Sequence, residues 1–191
     1  MFAPLHVLRH ALPHLRAQRS GHIFNVASIV GFQGGYAGWS SYAATKFAVA
    51  GLTESLAAEV AELGIRVTVV YPGPVRTDFL AQGVLGVAKR SIPDYTEAQA
   101  SLDLHLNGLH GQQAGDPEKV ATLILQASRV AEPPIRLFAW QDRQHAGRAE
   151  DACDTQGSGR MARCRRCDRL YRLTVSRREP SGRRAFTALH S

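Results

Sequence analysis

The chain predicts an α/β fold in which parallel strands alternate with helices. Three observations predict it. Apolar residues recur at helical spacing in three separate segments, short β-branched runs lie between them, and glycine or proline punctuates each change. Strands separated by helices are joined by crossovers and run parallel. At 191 residues the chain is sized for one domain. Its 45% hydrophobic and 20% charged residues exclude fibrous, low-complexity and wholly disordered classes. No run reaches the roughly 18 apolar residues a membrane span needs.

The elements follow in order. Leu5, Leu8, Leu12 and Leu15 step by three and four, so residues 4–17 read as an amphipathic helix, with Pro13 breaking the pattern late and Ser20-Gly21 ending it. His22–Ala27 reads as a short strand. A loop with Gly31, Gly34, Gly35 and Gly38 follows, then a long helical pattern from about Ser41 to Leu63, with Phe47, Leu52, Leu56 and Val60 apolar. Gly64 stands where a C-terminal cap is expected. Ile65–Tyr71 is β-branched enough for a strand buried on both faces. Residues 76–114 are weakly patterned, with Gly83, Gly86, Pro93 and mixed short helical stretches, as a mobile loop or lid would be. Asp116-Pro117-Glu118 opens another helix, with Asp116 as cap and Pro117 at the first helical position. Val120, Leu123, Ile124 and Ala127 form its apolar face, and 135–139 reads as a last strand.

The charge is uneven. Of a net charge of +7, nearly all falls in residues 137–191, which hold 12 arginines, no lysine and all three cysteines, Cys153, Cys164 and Cys167. The body before it is close to neutral and free of cysteine, in keeping with a reducing cytoplasm.

Tyr42 and Lys46 lie four residues apart at the start of the long helix, so they share one face. A cation a few ångströms from a phenol favours its ionised form, which suits a proton-transfer group. The plain alternative is a tyrosine and a lysine on a solvated surface. Context adds to the pair. Ser28 ends the preceding strand and Pro72-Gly73 ends the next, and ligands of open α/β sheets bind at the carboxyl ends of strands.

Gly21–Ser28, Tyr42–Leu52 and Tyr71–Thr77 together resemble the short-chain dehydrogenase/reductases, in matching order and spacing over roughly residues 1–138. The resemblance implies a partial doubly wound, Rossmann-like sheet. It implies Tyr42 as general acid or base, Lys46 as its cationic partner and ribose ligand, and Ser28 as holder of the substrate carbonyl oxygen. Asn25 would be structural. Pro72, Gly73, Val75 and Thr77 would flank the nicotinamide of NAD or NADP, and residues 78–115 would form the substrate lid. It implies a small carbonyl or secondary alcohol as substrate, a cytoplasmic setting, and a homodimer or homotetramer built through helices 4–17 and 42–63.

The departures matter as much. The family's glycine-rich phosphate turn finds no counterpart upstream of Ser28, and the Gly31–Gly38 loop is no substitute, since no helix with close glycine packing opens from it. The expectation is an N-terminally truncated reductase whose dinucleotide binding is impaired. The alternative is a non-catalytic remnant that associates through its interface helices. Residues 139–191 are expected to be an unselected, disordered tail of frameshift origin. A zinc site at Cys153, Cys164, Cys167 and His145, and nucleic-acid binding by the arginines, are weaker readings because neither has the spacing of a known module. A transit-peptide reading of the acid-free N-terminus gives way to the helix pattern. His6, His10 and His14 form a stripe without a carboxylate, so no metal is expected there. His105 and His110 are read as loop positions near the substrate.

Overall fold

A computed structural model describes residues 2–81, 83–88 and 90–139 of the chain. The tail and its zinc, nucleic-acid and frameshift readings lie outside the described residues.

The elements run α1 (Phe2–Gln18), β1 (Gly21–Val26), α2 (Ser40–Val60), β2 (Ile65–Pro72), α3 (Thr96–Asp103), α4 (Pro117–Arg129) and β3 (Arg136–Ala139). The three strands form one parallel sheet in the order β1-β2-β3. Val26 pairs with Val70, and Tyr71 with Phe138, so all three strands end at the same edge of the sheet.

Side chains alternate across β2, which has helices on both faces. On one face Ile65 and Val67 pack with Leu8 of α1 and Leu56 and Val60 of α2. Farther along the same face Val69 and Tyr71 meet Val49 and Ala50 of α2. On the other face Val70 packs with Leu123 and Ala127 of α4 and Leu137 of β3. Val69 and Val70 are wholly buried, each contributing about 2 kcal/mol of hydrophobic stabilisation. This two-faced burial explains the unbroken apolar run of β2, and it is the doubly wound arrangement the sequence predicts.

Local signals account for the boundaries. Asp116 caps α4 by accepting from the Glu118 amide at 2.9 Å, with Pro117 at the first position. Gly64 ends the helical stretch with φ of +73°, and a side chain there would collide with the Arg19 carbonyl oxygen.

Pro13 lies inside α1, which runs on to Gln18, in keeping with the helix read over 4–17. The apolar positions need correction. Leu5 and Phe47 are largely solvent-facing, and the buried stripe of α2 is Val49, Ala50, Thr53, Leu56 and Val60. Residues 76–114 hold α3 and a π-helical stretch over Leu104–Leu109, short helical pieces of the kind the sequence suggests there.

Two polar links tie the layers together. Asn25 donates to Thr53 Oγ1 at 3.0 Å, joining β1 to α2 behind Ser28, which is the structural role expected of it. Glu54 of α2 holds Arg136 of β3 with both carboxylate oxygens at 2.7 Å and accepts from the Tyr71 hydroxyl. Burial, with the Glu54 carboxylate beside it, pushes the Tyr71 phenol up to about 12. His22 sits within 2.9 Å of Thr68 Oγ1, which itself donates to the Pro134 carbonyl. His22 therefore donates through Nε2 and leaves a buried Nδ1 without a partner among the described residues. Desolvation, with Arg66 nearby, lowers its pKa to about 4. No helix among the described residues is long and apolar enough to cross a membrane.

Candidate active site

The carboxyl edge of the sheet collects the predicted residues. Ser28 follows β1, and Pro72 ends β2; the amide of Ala27 bonds the Val70 carbonyl at 2.8 Å, so continuing the register sets Ser28 level with Pro72. Ser28 is buried, and its hydroxyl oxygen accepts from the Val30 amide at 3.3 Å, capping a single 3₁₀ turn over Ile29–Gly31. Its hydroxyl proton remains available to donate.

Tyr42 and Lys46 occupy the first turns of α2. The Lys46 ammonium lies 5.6 Å from the centre of the Tyr42 ring and donates to the Val26 carbonyl at 3.1 Å. It thus spans from the phenol to the end of β1, two residues before Ser28. Burial lowers the Lys46 pKa, because desolvation penalises its charged form.

Gly31 sets this approach. A Cβ on it would stand 2.7 Å from the Lys46 carbonyl carbon and oxygen and 2.8 Å from the Lys46 Cβ. The expectation that the Gly31–Gly38 loop has no close glycine packing is therefore corrected: Gly31 packs directly on α2. The periodicity of neither segment signals a contact between a loop and a passing helix.

The segment after β2 is fixed from its far side. Val75 and Gly115 form an isolated parallel bridge, with the Gly115 amide on the Pro74 carbonyl and the Arg76 amide on the Gly115 carbonyl, both at 2.9 Å. Arg76 also reaches the Gln113 carbonyl at 2.6 Å. The bridge leaves the N–H and C=O of Val75 itself unused. Thr77 Oγ1 accepts from the Phe79 amide at 3.4 Å and keeps its proton to donate. These donors and acceptors fit an amide-bearing ring such as nicotinamide. The glycine-bearing loop between β1 and α2 follows the Ser28 strand itself, so the fit described here covers the nicotinamide end of a dinucleotide and not its pyrophosphate.

Aromatic rings surround the phenol. Trp39 meets Tyr42 edge-on at 5.5 Å, and Phe79 lies 6.0 Å away on another side. Trp39 is itself held by Ser101, which accepts from Nε1 at 3.2 Å, and by the His105 ring at 4.6 Å. His105 in turn bonds the Ser101 carbonyl at 2.6 Å, so it links the Leu104–Leu109 stretch to Trp39 before α2 and is not the loose loop position expected. Trp39 and Phe79 were not legible as site residues; the spacing of Trp39, one helical turn before Tyr42, is the signal that would have found the first. His6, His10 and His14 are exposed on α1, and no metal-holding group of His, Cys, Asp or Glu occurs among the described residues.

An open α/β sheet with polar groups converging at the carboxyl ends of its strands defines a ligand-binding protein of the doubly wound class. Residues 1–84 match the family described as short chain dehydrogenase. The chain is 36% identical over 152 residues to oxidoreductase BOA17 of Botryotinia fuckeliana, covering 77% of this chain and 53% of that protein. It is 33% identical over 140 residues to retinol dehydrogenase 8 of Bos taurus, covering 71% and 45%. A short-chain dehydrogenase from Streptomyces avermitilis superposes with a TM-score of 0.65 at 30% identity, covering 92% of this chain and 58% of that one. This chain belongs to the short-chain dehydrogenase/reductase family. It spans about half the length of the curated relatives it matches.

Proposed function

We propose that the chain carries the catalytic half of an NAD(P)-dependent oxidoreductase interconverting a carbonyl and a secondary alcohol. The observation that carries the reading is the Lys46 ammonium, held between the Tyr42 ring and the Val26 carbonyl beside Ser28. Tyr42 donates its phenolic proton to the carbonyl oxygen during reduction and recovers it during oxidation. Lys46 stabilises the phenolate left behind. Ser28 donates its free hydroxyl proton to the same oxygen and fixes its position. Pro72 and Gly73, at the end of β2, would flank the nicotinamide, and Val75 and Thr77 offer the amide partners described above. The bound NAD or NADP would supply or accept the hydride. Residues 78–115 act as the lid over a body of residues 1–138. A cytoplasmic setting, with two or four copies associating through α1 and α2, accompanies this reading.

The test is carbonyl-dependent oxidation of NADPH or NADH by the full chain and by Tyr42→Phe. Loss of a proton donor at the reacting oxygen is expected to lower kcat by roughly 10²–10⁴. An unchanged kcat in Tyr42→Phe would overturn the assignment.

A second reading has one observation in its favour, the exposed apolar side chains of Phe2 and Val7 on α1 and of Phe47 on α2. On it the chain is non-catalytic and associates through α1 and α2. No dinucleotide binding at millimolar concentration, together with concentration-dependent self-association in sedimentation, would favour it.

A further inference from the structure

The cavity between the start of α2 and the lid has a volume of about 460 Å³, within the range of sites that enclose drug-sized ligands. Tyr42 forms part of its wall, so whatever fills it touches the proposed proton donor. More of the wall is apolar than polar. Trp39, Phe79 and Tyr95 supply aromatic faces, and Leu85, Ile92 and Leu102 supply aliphatic ones. Two of its polar groups are engaged within the protein: the Trp39 N–H donates to Ser101, and the Ser91 hydroxyl donates to Gln99 Oε1 at 3.1 Å. The aromatic and aliphatic faces favour an apolar substrate body, because a hydroxyl set against them would lose its water without gaining a partner. Charge enters at Arg90, an exposed side chain and the charged residue of the wall among the described residues.

We propose that this cavity selects an apolar, ring-bearing ketone or secondary alcohol of about two fused rings whose charge, where it has one, is a carboxylate at the end facing Arg90. The inference rests on the proposed oxidoreductase reading only for the ketone; the apolar wall and Arg90 stand apart from it. Phe79 and Arg90 are its specificity residues. Phe79 covers the ring near Tyr42, and Arg90 meets the carboxylate as a solvent-exposed partner. An ammonium at that end would meet the like charge of Arg90 and be disfavoured.

The test is calorimetric titration of the full chain with acetone, 2-acetylnaphthalene and 6-acetyl-2-naphthoate. Both naphthyl ketones are expected to bind roughly a hundred-fold more tightly than acetone, since a bicyclic ring buries far more apolar area. The naphthoate should gain a further two- to five-fold at low salt, and Arg90→Gln should remove that gain alone. Phe79→Ala should weaken both naphthyl ketones about ten-fold; Phe79 is 44% exposed, so its truncation leaves the core intact. Tyr42→Phe keeps the ring and should keep the ranking. Naphthyl ketones no tighter than acetone, or unaffected by Phe79→Ala, would overturn the apolar selection, and a carboxylate gain surviving Arg90→Gln would overturn the charged end. Tight naphthyl binding without turnover would sink the oxidoreductase reading and leave this one standing. Efficient turnover of acetone in preference to the naphthyl ketones would do the reverse.

Discussion

Gly31→Ala offers a direct check on how the Tyr42–Lys46 pair is held. The added methyl would meet the Lys46 carbonyl at 2.7 Å. An ordinary contact needs at least about 3.4 Å, so the loop and α2 must separate by roughly 0.7 Å there. The contact is with backbone of a helix interior, which cannot rotate away. Overpacking of this kind costs about 1–3 kcal/mol. With a urea slope of about 2 kcal/mol per molar, the unfolding midpoint should fall by about 0.5–1.5 M. The same separation stretches the Lys46–Val26 bond from 3.1 Å beyond hydrogen-bonding range, so the lysine loses its anchor. Gly34→Ala is the matched control: nothing lies within 4 Å of its Cβ position, and its midpoint should stay within about 0.2 M of wild type. The assay is urea unfolding followed by circular dichroism on the full chain. Equal midpoints for the two variants would refute the argument that close packing of Gly31 sets the position of Lys46.

Other outcomes can be checked alongside. Gly51 is exposed in the interior of α2 with open space around it, so Gly51→Ala should stabilise by about 0.5–1 kcal/mol in the same assay. His22 is harder to protonate folded than unfolded, so its contribution is complete above pH 6.5 and is lost as pH falls from there towards about 4; His22→Gln should flatten the midpoint over that window. Tyr71 titrates in the opposite sense. Its hydroxyl is kept protonated to about pH 12 in the fold but ionises near 10 when unfolded, so stability should drop between those values, and Tyr71→Phe should reduce the drop. Glu54→Gln weakens the two-point contact with Arg136, and because both side chains are partly exposed the loss should be about 1 kcal/mol.

The parts legible in the sequence were those governed by local chemistry. The cap at Asp116, the left-handed glycine at 64, the strand of Ile65–Tyr71 and the helical face shared by Tyr42 and Lys46 each follow from spacing or residue type within a few positions. What stayed hidden depends on contacts between distant segments. Gly31 meets Lys46 only because the turn after β1 packs on α2, and a Cβ on Gly38 would stand 3.3 Å from the Ala98 Cβ only because α3 docks on the loop before α2. Phe47 misled for the same reason: its spacing suits a helix face, but which face is covered depends on where β2 runs. Within the site, the Tyr-Lys pair was visible as a repeat of four, whereas the Trp39–His105–Ser101 strut spans more than sixty residues and leaves no periodic trace.

The bridge between Val75 and Gly115 gives residues 76–114 a common root. Everything between leaves the sheet and returns at one stitch, beside the start of α4. The entropy of closing such an excursion grows only with the logarithm of its length, by about 0.6 kcal/mol for each doubling. The excursion is therefore a cassette: its length and wall residues can be exchanged between Val75 and Gly115 while the strands, the Tyr42–Lys46 pair and the packing of α4 keep their places. Retargeting this scaffold to a new ligand is a problem of replacing one closed segment rather than redesigning a core.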